Sequence, residues 1–600
     1  MNPLSPAPRA TFVLAIAALL TGALVAQHGA EGARAKERQG RQKPPPNIVV
    51  VMSDDQTVES LRAMPKTQRL LGGEGVTFTN SFASNPVCCP SRATFLTGRY
   101  AHNHGVLRNS QPQGGFLELD GDETLPIWLQ RAGYFTAHIG KYLNGYGRGA
   151  SDPLEIPRGW SEWHGSVDPS TYSMYGYTLS EDGRLVTYGD PDTEDPANYQ
   201  TDVYAAKAAE LIARRAPRRK PFFLSVAPLA THAEFDPEQQ AEPLGPNDPR
   251  PAPRHDGAFD AEPQPRTEAF NEADVSDKPA EIRELAPLSL TEAAGVAARY
   301  RARLASLLAL DDLVETIVGE LGATRELNRT LIVFTSDNGY LLGEHRIRAA
   351  KQYPYEESIR VPLILRGPNL PRNARRPQPV VNADLAPTIL HYARSDERPP
   401  RDGRSLHRLI AERRLEPGRA VLIENWCQAA EPCFEADTPR YVGVRTARYL
   451  YAEYPNGDRE LYDLERDPFE LESLHADPAY ADERAALERL LDRLRTCAGR
   501  ACRSKPRLEI RLGYSRREVD GRPCAQSAVK AKVRGADRDD ALEAGFRLRG
   551  KRAGTDRRPP LRTRIARREL AEGRRSEVEA AVTVLDGRVR SLTAKAPRRC

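Results

Sequence analysis

Cysteine is scarce in this sequence, at 8 in 600 residues. A chain of that length and thiol content is not a small disulfide-stapled scaffold, so its stability must come from buried apolar cores. Its length exceeds what one core usually serves, and two or three domains are expected. Beyond the N-terminus there is no long apolar run, which excludes further membrane-spanning helices, each of which needs ~20 apolar residues. No internal repeat is present, so a stacked repeat array is excluded too. A strong overall excess of one charge is also lacking, with 87 Lys and Arg against 82 Asp and Glu, a net of +5. No nucleic-acid partner is expected.

What is present begins with Arg9 and an apolar run from Thr11 to Ala26 that ends in small residues and gives way to a polar stretch. This layout predicts a signal peptide over residues 1–26, cleaved near Ala26, and a secreted, extracellular protein. Residues 27–46 read as a linker. In an exported chain, cysteines favour disulfides, and three pairs suggest themselves: Cys427 with Cys433, Cys497 with Cys502, and Cys524 with Cys600. Cys88 and Cys89 are left over. Neighbouring cysteines rarely meet the geometry of a mutual bridge, so at least one of them is expected to serve another purpose. The charge is unevenly spread: residues 505–600 hold 27 Lys and Arg against 13 Asp and Glu, +14, leaving 60 against 69, −9, elsewhere. Such a module suits contact with a polyanion, such as a sulfated glycan or cell-wall polymer, and equally suits a merely solvated surface.

The run Asn47-Ile48-Val49-Val50-Val51-Met52 is almost continuously apolar and β-branched, the pattern of a strand buried on both faces. Short apolar runs recur at Tyr134–Ile139, Pro221–Ala227, Thr330–Thr335 and Val361–Leu365, between helical patterns at Asp202–Arg214 and Ala293–Leu321. This alternation predicts an α/β fold with a mainly parallel central sheet flanked by helices, over residues 47–395. Ligands in such folds sit beyond the carboxyl ends of the strands. Here those ends carry Asp54-Asp55, Lys141, His232 and Asp337-Asn338. The proline-rich stretch 233–290 reads as an irregular excursion near that site. Residues 396–503 read as a smaller α+β subdomain with strands around Tyr441–Tyr454 and a helix at Ala481–Arg495. Residues 505–600, with strands at Ala528–Val533 and Val578–Leu585 and a turn at Asp586-Gly587, read as a β-sandwich, Ig-like module. A Cys524–Cys600 bridge would contribute roughly 4 kcal/mol to it in the loop-entropy model.

The segment Cys88-Cys89-Pro90-Ser91-Arg92-Ala93-Thr94-Phe95-Leu96-Thr97-Gly98-Arg99 resembles the sulfatase signature. The resemblance extends from Asn47 to Leu474 and is greatest to the branch of N-acetylglucosamine-6-sulfatases and arylsulfatase-like enzymes. It is supported by Gly140-Lys141-Tyr142-Leu143-Asn144, Arg158-Gly159-Trp160, Phe270 through Pro279, and Ser336-Asp337-Asn338-Gly339. The terminal basic module lies outside it. In that family a dedicated formylglycine-generating enzyme oxidises the first signature cysteine, here Cys88, to formylglycine. The resemblance implies an alkaline-phosphatase-like fold and hydrolysis of sulfate monoesters of sulfated sugars or aryl sulfates.

The chemistry explains these residue types. A sulfate ester needs a strong nucleophile, screening of negative charge and protonation of the leaving alkoxide. A formylglycine hydrate offers two hydroxyls on one carbon: one attacks sulfur to give a covalent sulfate intermediate, and the other then expels sulfate. Unmodified cysteine cannot complete the second step. Asp54, Asp55, Asp337 and Asn338 form an all-oxygen set that favours a hard cation, Ca²⁺ or Mg²⁺, over zinc. The resemblance maps the family's calcium site onto these four and Cys88. Asp54-Asp55 alone would more often cap a helix. The resemblance also assigns Arg92, Lys141 and Lys351 to charge neutralisation and His232 to sulfate contact and leaving-group protonation. Asn144 and His345 are candidate substrate-binding residues. Many sulfatases carry a histidine where this chain has Leu143, which leaves the base for sulfate release unassigned. Two alternatives share these features: a phosphonate or phosphate monoester hydrolase of the same superfamily, and an inactive secreted glycan-binding protein.

Overall fold

The first apolar run forms β1 (Asn47–Ser53), buried along its whole length. Its two faces enter different cores. Ile48, Val50 and Met52 join a cluster containing Cys89, Ala93, Phe95 and Leu96 of α1 (Cys88–Thr97). Val49 and Val51 join another, lined by α2 (Gln200–Arg215) and α3 (Leu290–Ala323). A strand covered on both sides has no wet face to mark with polar residues, which is why the run lacks alternation.

The computed structural model describes residues 44–190, 192–234, 248–411, 419–426, 440–503, 509–520, 522–534, 541–556, 561–571, 575–584 and 589–600. The expected signal peptide, the Cys427–Cys433 pair and the Asp586-Gly587 turn lie outside the described residues.

β1 is central in a ten-stranded sheet. In chain order its other strands are β2 (Val76–Phe78), β3 (Phe135–Gly140), β4 (Glu162–Ser166), β5 (Tyr177–Glu181), β6 (Arg184–Tyr188), β7 (Phe222–Ala227), β8 (Thr330–Ser336), β9 (Leu363–Arg366) and β10 (Ala374–Arg376). They lie side by side as β10-β2-β9-β8-β1-β7-β3-β4-β5-β6. The five middle strands, β8 to β4, are parallel. β9 runs antiparallel to both its neighbours, and β5 and β6 form an antiparallel hairpin on the far side. The sheet is therefore mixed but mostly parallel, in the alkaline-phosphatase-like arrangement, and the parallel core brings the ends of β1, β3, β7 and β8 to one edge.

Helix α3 extends past the expected Ala293–Leu321 at both ends. Its start is fixed by Ser289, whose hydroxyl accepts from Glu292 N–H at 3.2 Å while the Glu292 carboxylate accepts from Ser289 N–H at 2.8 Å. This reciprocal cap satisfies two otherwise orphaned donors. The expected strand region Tyr441–Tyr454 is a hairpin within a four-stranded antiparallel sheet, β11 (Val421–Asn425), β12 (Tyr441–Arg445), β13 (Tyr449–Glu453) and β14 (Arg459–Asp463). With α4 (Ala481–Leu494) it shares a core with Phe82, Tyr100, Tyr353 and Tyr355. The described terminal residues form three small sheets, antiparallel except where Arg522–Ala525 pairs in parallel with Arg598–Arg599, around a core of their own. Cys497–Cys502 and Cys524–Cys600 are bridged, and Cys88 and Cys89 are free and buried. Among the described residues no helix is long and apolar enough to cross a membrane.

Candidate active site

Two backbone hydrogen bonds bind the end of β1 to the end of β7: Asp54 N–H donates to Ala230 O at 3.1 Å, and Thr231 N–H to Asp54 O at 2.8 Å. Asp55 takes a left-handed conformation, φ 61°, immediately after. Its N–H donates to Asp337 Oδ1 at 3.1 Å, joining the ends of β1 and β8. Arg303, reaching from α3, donates to the carbonyls of Thr231 and Asp55 and pins these turns from behind.

Onto this frame the chain sets three carboxylates and three cations. Lys141 Nζ lies 2.5 Å from Asp54 Oδ2. Arg92 spans Asp337 Oδ2 at 2.8 Å and Asp54 Oδ2 at 3.2 Å, and donates to the Lys141 carbonyl at 2.8 Å. Lys351 Nζ lies 2.6 Å from Asp55 Oδ1. Asn338 donates to the same Asp55 oxygen at 2.7 Å. Cys88, first residue of α1, points its sulfur at Lys351 Nζ, 2.9 Å away, and Asp54 Oδ1, 3.6 Å away. His232 Nε2 stands 3.8 Å from Asp55 Oδ2. Its Nδ1 lies 2.7 Å from the Ala233 carbonyl, which only accepts, so the proton sits on Nδ1 and the Nε2 lone pair faces the carboxylate.

Apart from His232, which is partly exposed, these groups are almost wholly out of water; Cys88 is 1% exposed and Asn338 0%. Burial penalises every charge, and proximity decides the outcome. For Asp54 burial would raise the pKa, but Lys141, His232, Arg92 and Lys351 outweigh it and hold the group far below the usual carboxylate range. Asp337 goes the other way, to about 6, because burial and the Asp54 charge prevail over Arg92. Burial drives the Cys88 thiol up to about 12 despite the two lysines. Burial likewise pulls His232 down to about 4, against Asp55 and Asp54.

The structure thus brings together Asp54, Asp55, Cys88, Arg92, Lys141, His232, Asp337, Asn338 and Lys351. Asn144 joins indirectly: its Nδ2 donates to the Tyr172 hydroxyl at 2.6 Å, and the Tyr172 ring lies 4.7 Å from Lys141 Nζ and 5.1 Å from the His232 ring. His345 engages other partners, with Nδ1 2.6 Å from Glu272 Oε2 and its ring against Tyr355. His102 and His104 brace the segment after α1, through Glu424 and Thr94. Leu143 is core, packed with Tyr142 and Trp163. Sequence reasoning missed Tyr172 and Arg303, neither of which stands in a recognisable motif. It also passed over Ser91, which donates from inside the signature to the Asp337 carbonyl.

Whether the cluster suits a cation follows from its donors. Ligand atoms of Asp54, Asp55, Cys88 and His232 lie within 4.8 Å of one another. Asn338 Oδ1 is buried and has no hydrogen-bond partner, an unfilled acceptor beside Asp55. An orphaned amide oxygen next to carboxylates fits a hard, oxygen-seeking cation. Both Asp337 oxygens are already engaged, by Arg92 and by the N–H groups of Asp55 and Asn338.

A mostly parallel sheet presenting carboxylates, an amide and a helix-borne nucleophile position at one edge defines an alkaline-phosphatase-like ester hydrolase. The sulfatase family model matches residues 46–395, and a second, N-sulphoglucosamine sulphohydrolase, C-terminal, matches residues 343–497. Human N-acetylglucosamine-6-sulfatase is 32% identical over 517 residues, covering 79% of this chain and 89% of that protein. A Caenorhabditis elegans extracellular sulfatase homologue is 34% identical over 386 residues, which span 63% of this chain and only 51% of the nematode protein. A solved structure described in complex with its substrate, D-glucosamine-2-N,6-O-disulfate, superposes with a TM-score of 0.62 at 25% identity, covering 76% of this chain and 98% of its own. The chain belongs to the sulfatase family, a family of sulfuric ester hydrolases.

Proposed function

We propose that this chain is a secreted sulfatase, matured by a formylglycine-generating enzyme at Cys88, that hydrolyses sulfate monoesters of sulfated sugars of the N-acetylglucosamine-6-sulfate kind. In this reading residues 1–26 direct export, 47–395 carry catalysis, 396–503 complete the sulfatase unit and 505–600 form an accessory basic module. The observation that carries the proposal is the placement of Cys88 at the start of α1, its sulfur beside Lys351 and Asp54 among three carboxylates and three cations. The names of the human relative and of the disulfated glucosamine in the similar structure support the sugar class.

With a formylglycine hydrate and a calcium ion in place, the site would gain a nucleophilic hydroxyl and a polarising positive charge. The chain's own residues supply the remainder. Asp54, Asp55 and Asn338 would hold the cation, joined by Asp337 through the lone pair that its Oδ2 keeps beside Arg92. Three carboxylates and three cations cancel formally, so a dication leaves an excess of positive charge facing an anionic ester. Lys141, Lys351 and Arg92 neutralise charge that builds on the sulfate oxygens, from positions fixed by ion pairs before substrate arrives. A sulfate beside His232 raises its proton affinity, so that Nε2, unprotonated at rest, takes a proton from water and then passes it to the leaving alkoxide. His232, Tyr172 and Asn144 are the partly exposed members, so the ester enters past them.

Peptide mass spectrometry across Cys88, on protein from a host with the modifying enzyme, together with aryl sulfate turnover with and without chelator, tests the reading. Aldehyde mass with calcium-dependent turnover is expected. Unmodified Cys88 with metal-independent or absent turnover would sink it.

A further inference from the structure

The terminal module carries a regular array of cations that the reaction above leaves unused. Three of its strands, Glu509–Gly513, Val529–Arg534 and Arg562–Ile565, form an antiparallel sheet with Val529–Arg534 in the middle. One face of that sheet is core: Ile510, Val529, Ala531, Val533 and Ile565 are buried together. Strand alternation turns Arg511, Lys530, Lys532, Arg534, Arg562 and Arg564 to the other face. Arg511, Lys530, Arg562 and Arg564 are exposed, and Lys532 and Arg534 are half-buried.

The register sets these residues in rows. Arg511, Lys532 and Arg562 stand opposite one another across all three strands, and Lys530 stands opposite Arg564 in the next row. Arg534 follows, with Glu509 as its register partner. Along the middle strand a cation recurs every ~7 Å, and neighbouring strands are ~5 Å apart. Like charges directly opposite one another weaken a sheet, so the pairing works against the module's own stability. An array of this kind matches an extended chain of repeated anions better than one small ion, because each row meets a successive charge. Five of the six cations stand opposite another cation, a placement that solvation alone does not require.

We infer that this sheet face binds a sulfated polysaccharide, holding the polymer whose sulfate esters are hydrolysed at the Cys88 cluster. The choice of sulfate over other anions rests on the sulfatase reading; the surface itself does not.

The test uses the full, mature chain, heparin as the sulfated polysaccharide, and an aryl sulfate as a small substrate that cannot reach both surfaces. The variant Lys530→Gln/Lys532→Gln/Arg562→Gln/Arg564→Gln is compared with Arg516→Gln/Arg517→Gln/Arg547→Gln/Arg552→Gln, which removes the same charge from exposed positions elsewhere in the module. The first is expected to raise the heparin Kd at least tenfold and flatten its salt dependence, since fewer counterions are exchanged. The second should shift Kd less than threefold, and aryl sulfate turnover should be unchanged in both. Relief of like-charge neighbours should leave the Tm of the first variant equal or higher; if it unfolds, the pair Lys530→Gln/Arg564→Gln decides. Equal losses in the two variants, no loss in the first, or tighter binding of double-stranded DNA than of heparin would overturn the inference. A parent chain that binds heparin through this face yet turns over no aryl sulfate would leave the surface standing and remove the sulfatase reading.

Discussion

The Lys351 ammonium stands 2.9 Å from the Cys88 sulfur. Such a neighbour ordinarily draws a thiol toward thiolate. Here burial wins and the thiol is pushed up to about 12, so an unmodified Cys88 is a neutral, poor nucleophile at physiological pH. That favours the proposed oxidation at this position.

Replacing Cys88 with alanine should therefore lower kcat by roughly a thousandfold or more, the usual scale for losing a nucleophile. The fold should persist, because a small buried side chain is lost without leaving a charge unpaired. Residual turnover near the parent level, measured on purified protein with an aryl sulfate, would rule out this position as the seat of the chemistry.

Lys351→Met should act on two readouts. In the metal-free protein Asp55 Oδ1 loses its 2.6 Å cationic partner and keeps, among the described residues, only the Asn338 amide; breaking a buried ion pair in this way costs about 3–5 kcal/mol. Turnover should fall by ~10²–10³, as when a preorganised charge is removed from a developing anion. Denaturant unfolding and steady-state kinetics check the two separately, and an unchanged kcat would exclude Lys351 from charge neutralisation.

Chelation should lower both activity and Tm, with calcium restoring both. A ligand at a hundred times its Kd stabilises by about 2.7 kcal/mol. Asn338→Ala removes the orphaned buried acceptor, so the Tm gain on adding calcium should shrink in that variant. Identical melting of parent protein with EDTA and with calcium would argue that no cation is held there.

Acid stability should depend in part on His104. Val106 N–H donates to its Nδ1 at 3.1 Å, so the ring is neutral with its proton on Nε2, 3.0 Å from Thr94 Oγ1. A second proton would confront the Val106 N–H. Burial, then the Arg99 charge, hold its pKa at about 3, below the ordinary 6.5. The unfolded chain therefore binds the extra proton first. Stability is fully present above pH 6.5 and is lost as pH falls toward 3. His104→Asn, which keeps a neutral acceptor, should flatten the Tm profile in that window, partially, because His138 is held at about 3 as well. A profile as steep as the parent's would assign the acid loss elsewhere.

Much of this was legible in the chain itself, and for definable reasons. The run from Asn47 to Met52 could be read as a doubly covered strand because burial on both faces leaves no other pattern. Cys88 through Arg99 carried the family because twelve residues around one helix start must serve both nucleophile and frame. The runs around Tyr134, Pro221 and Thr330 lay within a residue or so of β3, β7 and β8. The direction of β9 was not legible, because an apolar run reads the same either way along the sheet.

The sequence by itself determined residue chemistry: acids at the ends of β1 and β8, bases at Lys141 and Lys351, and a thiol at the start of α1. Only the tertiary structure decided the pairings. It gave Lys141 to Asp54 and Lys351 to Asp55, turned His345 to Glu272, brought Tyr172 beside His232 and sent Arg303 from the far helix to the backbone behind the site. Those contacts join residues tens to hundreds of positions apart, and they are fixed by which strands lie adjacent in the sheet, a property of packing that local composition does not encode.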